Sequence, residues 1–237
     1  MATGDEREVE KLQGNAWIPQ RTAAAALALG TALFGIGTLL HPPTVRREDL
    51  MHVVREGATS RWLADHWLLA LSIALMTVGL AGFHAALAAR PGVRRGVASL
   101  AAPLGAVSAV FWMALFVFEA AGWPAIVAAL AQSSEPAPQL LAVAQAFWFT
   151  SLALGYVGGA LFAAVVGLWS AALLRGGPGG SLNGFARLGI VTSLVGMVTQ
   201  ALAWLFSSLA LVVLIPAAIV FGVWLGAAAW CLWHRNL

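Results

Sequence analysis

The side chains best able to do chemistry are five histidines, His41, His52, His66, His84 and His234. Four of them crowd into one stretch, GTLLHPPTVRREDLMHVVREGATSRWLADHWLLALSIALMTVGLAGFHAAL, residues 37–87. Imidazole nitrogens ligate transition metals and haem iron, so what matters is which rings reach one another. His41 closes one apolar run and His66 opens the next. Helices that follow each other in antiparallel order are usually neighbours, which sets these two rings at one depth on facing helices. That arrangement suits a b-type haem or a metal ion. Glu119, at a similar depth on the next run, is a candidate third ligand or an acceptor for an imidazole N–H. The candidate metal set is therefore His41, His66 and Glu119, with Asp65 adjacent.

His66 and His84 lie 18 residues apart. This is five helical turns, so they share a face and stand about 27 Å from each other. One cofactor cannot bind both, but two could, one near each end of the bundle. His234 is the inner partner available to His84, which makes His41, His66, His84 and His234 the candidate cofactor ligands. Ala70, Ile73 and Thr77 between the two rings leave room for a flat group. The pattern resembles, in outline, the paired histidines of b-type cytochromes. That resemblance covers parts of one helix and two helix ends, assigns no family, and implies one haem near each membrane face. The competing reading makes these histidines polar residues at a membrane surface. His41-Pro42-Pro43 is a natural helix stop, and His52 reads as a solvated loop residue.

The elements that position these residues follow from composition. The chain has 237 residues, of which 60% are hydrophobic and 10% charged, against about 25% charged in a soluble domain. A polytopic, all-α membrane protein is expected. Six apolar runs are long enough to cross, at residues 22–41, 65–89, 97–121, 140–174, 185–207 and 209–233. Residues 1–21 form a polar tail with no signal-peptide pattern, and residues 22–237 form a single six-helix transmembrane domain. Ser207 and Ser208 mark the least distinct boundary, between spans five and six. Two long outer loops, 42–64 and 122–139, each read as carrying a short surface helix. "VRREDLMHVVREG" carries the first. "GWPAIVAALAQ" carries the second, with Pro124 in its first turn.

Orientation follows from Lys and Arg. With the N-terminus in the cytoplasm, nine basic residues fall inside and four outside. Both termini are then cytoplasmic, in a bacterial-type inner membrane. Trp17, Trp62, Trp67, Trp123, Trp230 and Trp233 fall near the interfaces. The net charge of +3 speaks for topology and anionic lipid rather than nucleic acid. Segments beginning at Trp62 and Trp148 align as a faint repeat, which would leave His66 and His84 in one half only.

No charged residue or histidine is expected at mid-span, which argues against an ion-coupled carrier. Protease, hydrolase, phosphate-loop and paired-cysteine patterns are absent, and the lone Cys231 cannot form an internal disulfide. The leading expectation is a non-enzymatic membrane subunit or scaffold that packs against partner helices, further copies of itself, lipids or hydrophobic cofactors. The alternative is a redox protein binding b-type haem or a metal at the outer face. A third reading is a neutral-solute transporter lined by Gln145, Tyr156 and Gln200.

Overall fold

A computed structural model describes residues 18–41, 50–57, 59–90, 93, 95–132, 138–174 and 182–234. The described chain is helical: α1 (Gln20–Leu40), α2 (Leu50–Glu56), α3 (Ser60–Ala89), α4 (Arg95–Ala131), α5 (Pro138–Leu174), α6 (Asn183–Leu205) and α7 (Ala210–Trp233). All but α2 are long and apolar enough to cross a membrane. A short 3-10 turn, Ser207–Leu209, separates α6 from α7, at the serines expected to mark that boundary. Most of residues 1–21, the loop residues 42–49 and the connector 175–181 lie outside the described residues.

Each spanning helix packs on the one before it, and α7 returns to α1 to close a ring. Large apolar side chains such as Leu39, Val110, Val212 and Ile219 face outward and are more than half exposed. In water such a surface would drive aggregation; in lipid it is the ordinary exterior of a bundle.

The contact between α1 and α3 is set by small residues. A Cβ on Gly30 would meet the Ser72 carbonyl at 2.9 Å and the Met76 backbone nitrogen at 2.8 Å. One on Gly37 would meet the Leu69 side chain at 2.7 Å. Gly79 and Gly82 of α3 take Leu27 and Ala23 in the same way. Close backbone approach of this kind holds helices together where no hydrophobic effect acts between them. It also fixes the register of α1 on α3, and so the height of His41 against His66.

Two boundaries differ from the sequence reading. α3 starts at Ser60 rather than near Asp65, because Thr59 caps it. Its Oγ1 accepts the Trp62 N–H at 3.1 Å and donates to the Glu56 carbonyl at 2.7 Å. His66 thereby stands well inside the helix. The second expected surface helix does not exist separately, because α4 runs on through Pro124 to Ala131. Proline removes one helical hydrogen bond, but packing outweighs that loss here. Trp123 is wholly buried, edge-on to Phe147 of α5 at 5.1 Å, with Gly57 after α2 against its Cβ. α4 and α5 each have 37 residues, about 55 Å of helix against some 30 Å of hydrocarbon. They overhang the bundle at the His41 end, and α2 packs on the overhang. The expected short helix in "VRREDLMHVVREG" is α2 itself.

Gly30→Ala is expected to lower stability in detergent by about 1–3 kcal/mol, because the added methyl meets backbone that cannot move aside. Gly35→Ala, which meets nothing within 4 Å, should be neutral or slightly stabilising. Thermal unfolding followed by circular dichroism compares the two directly.

Candidate metal centre

Three consecutive spans bring their polar side chains to one point. α1 ends at Leu40, whose carbonyl accepts from Arg61 Nη2 at 2.6 Å and Nε at 3.2 Å. This tie holds the end of α1 to the start of α3 and satisfies a carbonyl that the helix leaves unpaired. His41 follows in extended conformation, at φ −66° and ψ 134°, as the Pro-Pro sequence requires. Its ring turns in toward His66, with the two Nε2 atoms 3.3 Å apart.

His66 is wholly buried. Its Nδ1 lies 2.8 Å from the Trp62 carbonyl and 2.6 Å from Asp65 Oδ1. Both neighbours only accept, so Nδ1 carries the proton and donates. In the neutral ring Nε2 then presents a lone pair, directed at His41 Nε2 and at Glu119 Oε2, the latter 2.7 Å away. A nitrogen lone pair and a carboxylate oxygen cannot sit so close unless a positive centre lies between them. At 2.7 Å that centre is a shared proton; a tetrahedral ion would hold the two atoms about 3.3 Å apart, so the carboxylate has to swing back to take its place beside one.

The surroundings are dry and rigid. Trp62 stacks on His66 with ring centroids 4.2 Å apart and planes 24° from parallel. Its Nε1–H donates to the Glu119 backbone carbonyl at 3.2 Å, tying α3 to α4 across the site. Phe116 closes the other side, edge-on at 6.2 Å. Asp65 and Glu119 are 2% and 4% exposed, and among the described residues both ion-pair with His66 alone. Asp65 Oδ2 is buried with no hydrogen-bond partner. The cluster separates two apolar regions. One, around Leu69, Ile73 and Phe116, fills the bundle; the other, around Trp62, Trp123 and Trp148, caps it.

The candidate metal set His41, His66 and Glu119 therefore converges, with one ligand atom from each within 4.8 Å of the others. Asp65 supplies the carboxylate behind His66. The two histidines of the candidate inner pair make separate contacts. His84 Nδ1 accepts from Trp169 Nε1 of α5 at 3.3 Å. His234 is exposed, tilted 35° over Trp230 of its own helix at 3.8 Å and bonded to the Trp230 carbonyl. Among the described residues no hydrogen bond or ring contact joins His84 to His234. The surface between His66 and His84 is filled by protein: Ala70 and Ile73 are core residues, and Thr77 bonds back to the Ile73 carbonyl. His52 lies half-buried on α2 and is not one of the three residues that converge.

Other expectations fall out unevenly. Trp67, Trp230 and Trp233 are about half or more exposed, as interface indoles would be, but Trp62 and Trp123 are wholly buried. Trp62 is the functional neighbour that its position near a helix end concealed. Its spacing of four from His66, one helical turn, was the available signal. Of the polar residues that might line a solute path, Gln145 faces outward, Tyr156 packs edge-on against Trp204 at 5.7 Å, and Gln200 fills the space above Gly159. The two aligned segments bury equivalent positions: Trp62 and Trp148, Ala86 and Ala172, Leu87 and Leu173 are all core residues.

No protein-family model, curated protein or solved structure matches this chain.

Trp62→Phe keeps the stack on His66 but deletes the N–H that reaches the Glu119 carbonyl. The expected loss is about 0.5–1.5 kcal/mol, whereas Trp62→Ala should cost about 3–5 kcal/mol by opening a cavity beside the cluster. Thermal unfolding of the two variants, with near-ultraviolet circular dichroism reporting aromatic packing, separates the tie from the packing.

Proposed function

We propose that this multi-pass membrane protein carries a divalent transition-metal centre, of the zinc class, held by His41, His66 and Glu119. The observation that carries this reading is the 3.3 Å between the two Nε2 atoms. Metal–nitrogen bonds of about 2.0–2.1 Å at a tetrahedral angle put two ligand nitrogens about 3.3–3.4 Å apart. Axial ligands on opposite sides of a haem iron would stand about 4 Å apart at similar bond lengths, with a macrocycle between the rings. Trp62 and Phe116 occupy the flanks where that macrocycle would lie. The geometry thus favours the ion over the haem.

Charge supports the same conclusion. Once the proton between Nε2 and Glu119 is released, two buried carboxylates and a neutral imidazole leave a formal charge of −2 in an apolar interior, and a divalent cation cancels it. Asp65 behind His66 makes the carboxylate–histidine–metal relay that orients a ligand ring and raises its basicity. A scaffold that only packs against partners, which the composition suggests, gives no reason to bury these groups together. Three protein ligands leave one tetrahedral position for water or substrate, the pattern of reactive rather than structural zinc. Such an ion acts as a Lewis acid toward a bound water or carbonyl. The excess of basic residues at the opposite end supports both termini in the cytoplasm of a bacterial-type inner membrane, with the metal end outside.

The test is metal analysis of the full chain purified in detergent without chelator. About one zinc per chain is expected. His41→Ala, whose ring is only half-buried, and Glu119→Gln should each lose the ion while the helical spectrum is kept. His84→Ala should retain it. Asp65→Asn should weaken binding about 10–100-fold. Cobalt substituted for zinc should give the intense visible bands of a four-coordinate ion. A folded protein that takes up no divalent metal would sink the reading. A reduced haem band abolished by His41→Ala would replace the ion with haem.

A further inference from the structure

The far end of the bundle carries a second, unrelated feature, a groove of about 620 Å³ along the seam where α7 closes the ring against α1. Ala25, Ala28 and Ala32 of α1 and Gly226 and Ala229 of α7 form its walls. Its mouth is made by Trp230, Trp233 and His234, and the Arg21 guanidinium lies over the Trp233 ring, 5.9 Å from its centroid. From Arg21 to Ala32 is about 16 Å of helix, close to the depth of one leaflet of a hydrocarbon core some 30 Å thick.

We propose that this seam binds an anionic phospholipid, with one acyl chain lying along the groove and its phosphate against Arg21 and His234. Three observations point to this ligand. First, the walls are mostly apolar, with Thr31 the one polar side chain along them, and they face the lipid, so an alkyl chain is the occupant at hand. Second, the mouth pairs two indoles with cation-capable groups at the level where headgroups sit. Among the described residues the Arg21 guanidinium makes its ring contact but no hydrogen bond or ion pair, leaving its donors for a phosphate. His234 donates from Nδ1 to the Trp230 carbonyl at 3.0 Å, so its Nε2 donates to a phosphate from the doubly protonated ring. Third, this is the end where most of the basic residues gather, the side on which anionic lipids are met.

The proposal does not depend on the metal centre. Native mass spectrometry of the full-length, detergent-purified protein tests it, with phosphatidylglycerol or phosphatidylcholine of identical chains added in equal amounts. Phosphatidylglycerol should bind preferentially. Arg21→Gln should reduce that preference by about five-fold, the weight of one cationic side chain near an anionic surface. Ala28→Leu, which fills the groove with an apolar side chain suited to a lipid-facing position, should abolish the bound lipid of either kind. Equal binding of the two lipids would overturn the proposal. So would an unchanged preference in Arg21→Gln, a lipid adduct that survives Ala28→Leu, or displacement of the lipid by inorganic phosphate alone. Unchanged circular dichroism and elution volume establish that both variants fold.

Discussion

One imidazole held between two buried carboxylates is the constraint around which the rest of this molecule is arranged. His66 donates from Nδ1 to Asp65 and turns Nε2 on Glu119. Inside an apolar bundle each of these groups is costly to bury alone, and together they are tolerable only if geometry and charge are both met. Geometry is met by three helices contributing to one point. The glycine contacts of α1 on α3 set the height of His41, the Arg61 tie fixes the end of α1, and the Trp62 indole fastens Glu119's backbone to α3. Charge is met by whatever cation stands between Nε2 and the Glu119 carboxylate.

The overhang of α4 and α5 follows from the same requirement. Had α4 stopped near Ala121, as its hydropathy suggested, Glu119 would sit in its last turn, exposed to water and frayed. The additional turns through Ala131 place it firmly within helix. The surplus surface is then covered by Trp148 from α5 and Val53 from α2, which with Trp123 form the apolar cap. A cap of this kind keeps water from His66 and the carboxylates while His41 stays half-buried, and where water is excluded every electrostatic interaction is stronger. Trp62 serves both sides, as part of the cap and as the flat partner of His66.

How much of this was legible in the sequence depended on what each feature rests upon. The six spans were, because their length and apolar content are one-dimensional properties. The meeting of His41, His66 and Glu119 was, because sequential antiparallel helices put equal depths side by side. The Thr59 cap was visible in principle as a Thr-Ser pair before Trp62, but a hydropathy scan reads through it. Continuation of α4 past Pro124 was not legible, since it depends on Trp123 finding Phe147 and Gly57 in three dimensions. The contacts that His84 and His234 make instead, with Trp169 and Trp230, were not legible either. Rotation of each helix about its axis decides the first, and with apolar residues on every face these helices carry little sequence signal for that rotation.

α1 shows why such weak patterning is still specific. Ala23, Leu27, Gly30 and Gly37 form the face that α3 approaches, and Ala25, Ala28 and Ala32 form the face turned to the α7 seam. Both faces must be small, one to admit a neighbouring backbone and the other to leave the groove open. Low amphipathicity in this helix is therefore not an absence of design, because shape rather than polarity distinguishes its faces. The same helix ends in His41 and begins beside Arg21, so the histidine–carboxylate cluster at one end and the seam at the other rest on a single run of small residues. A bulky residue on the α3 face would displace His41 without touching the cluster itself, and one on the α7 face would fill the seam without touching His41. The two faces are separable by mutation although they belong to one helix.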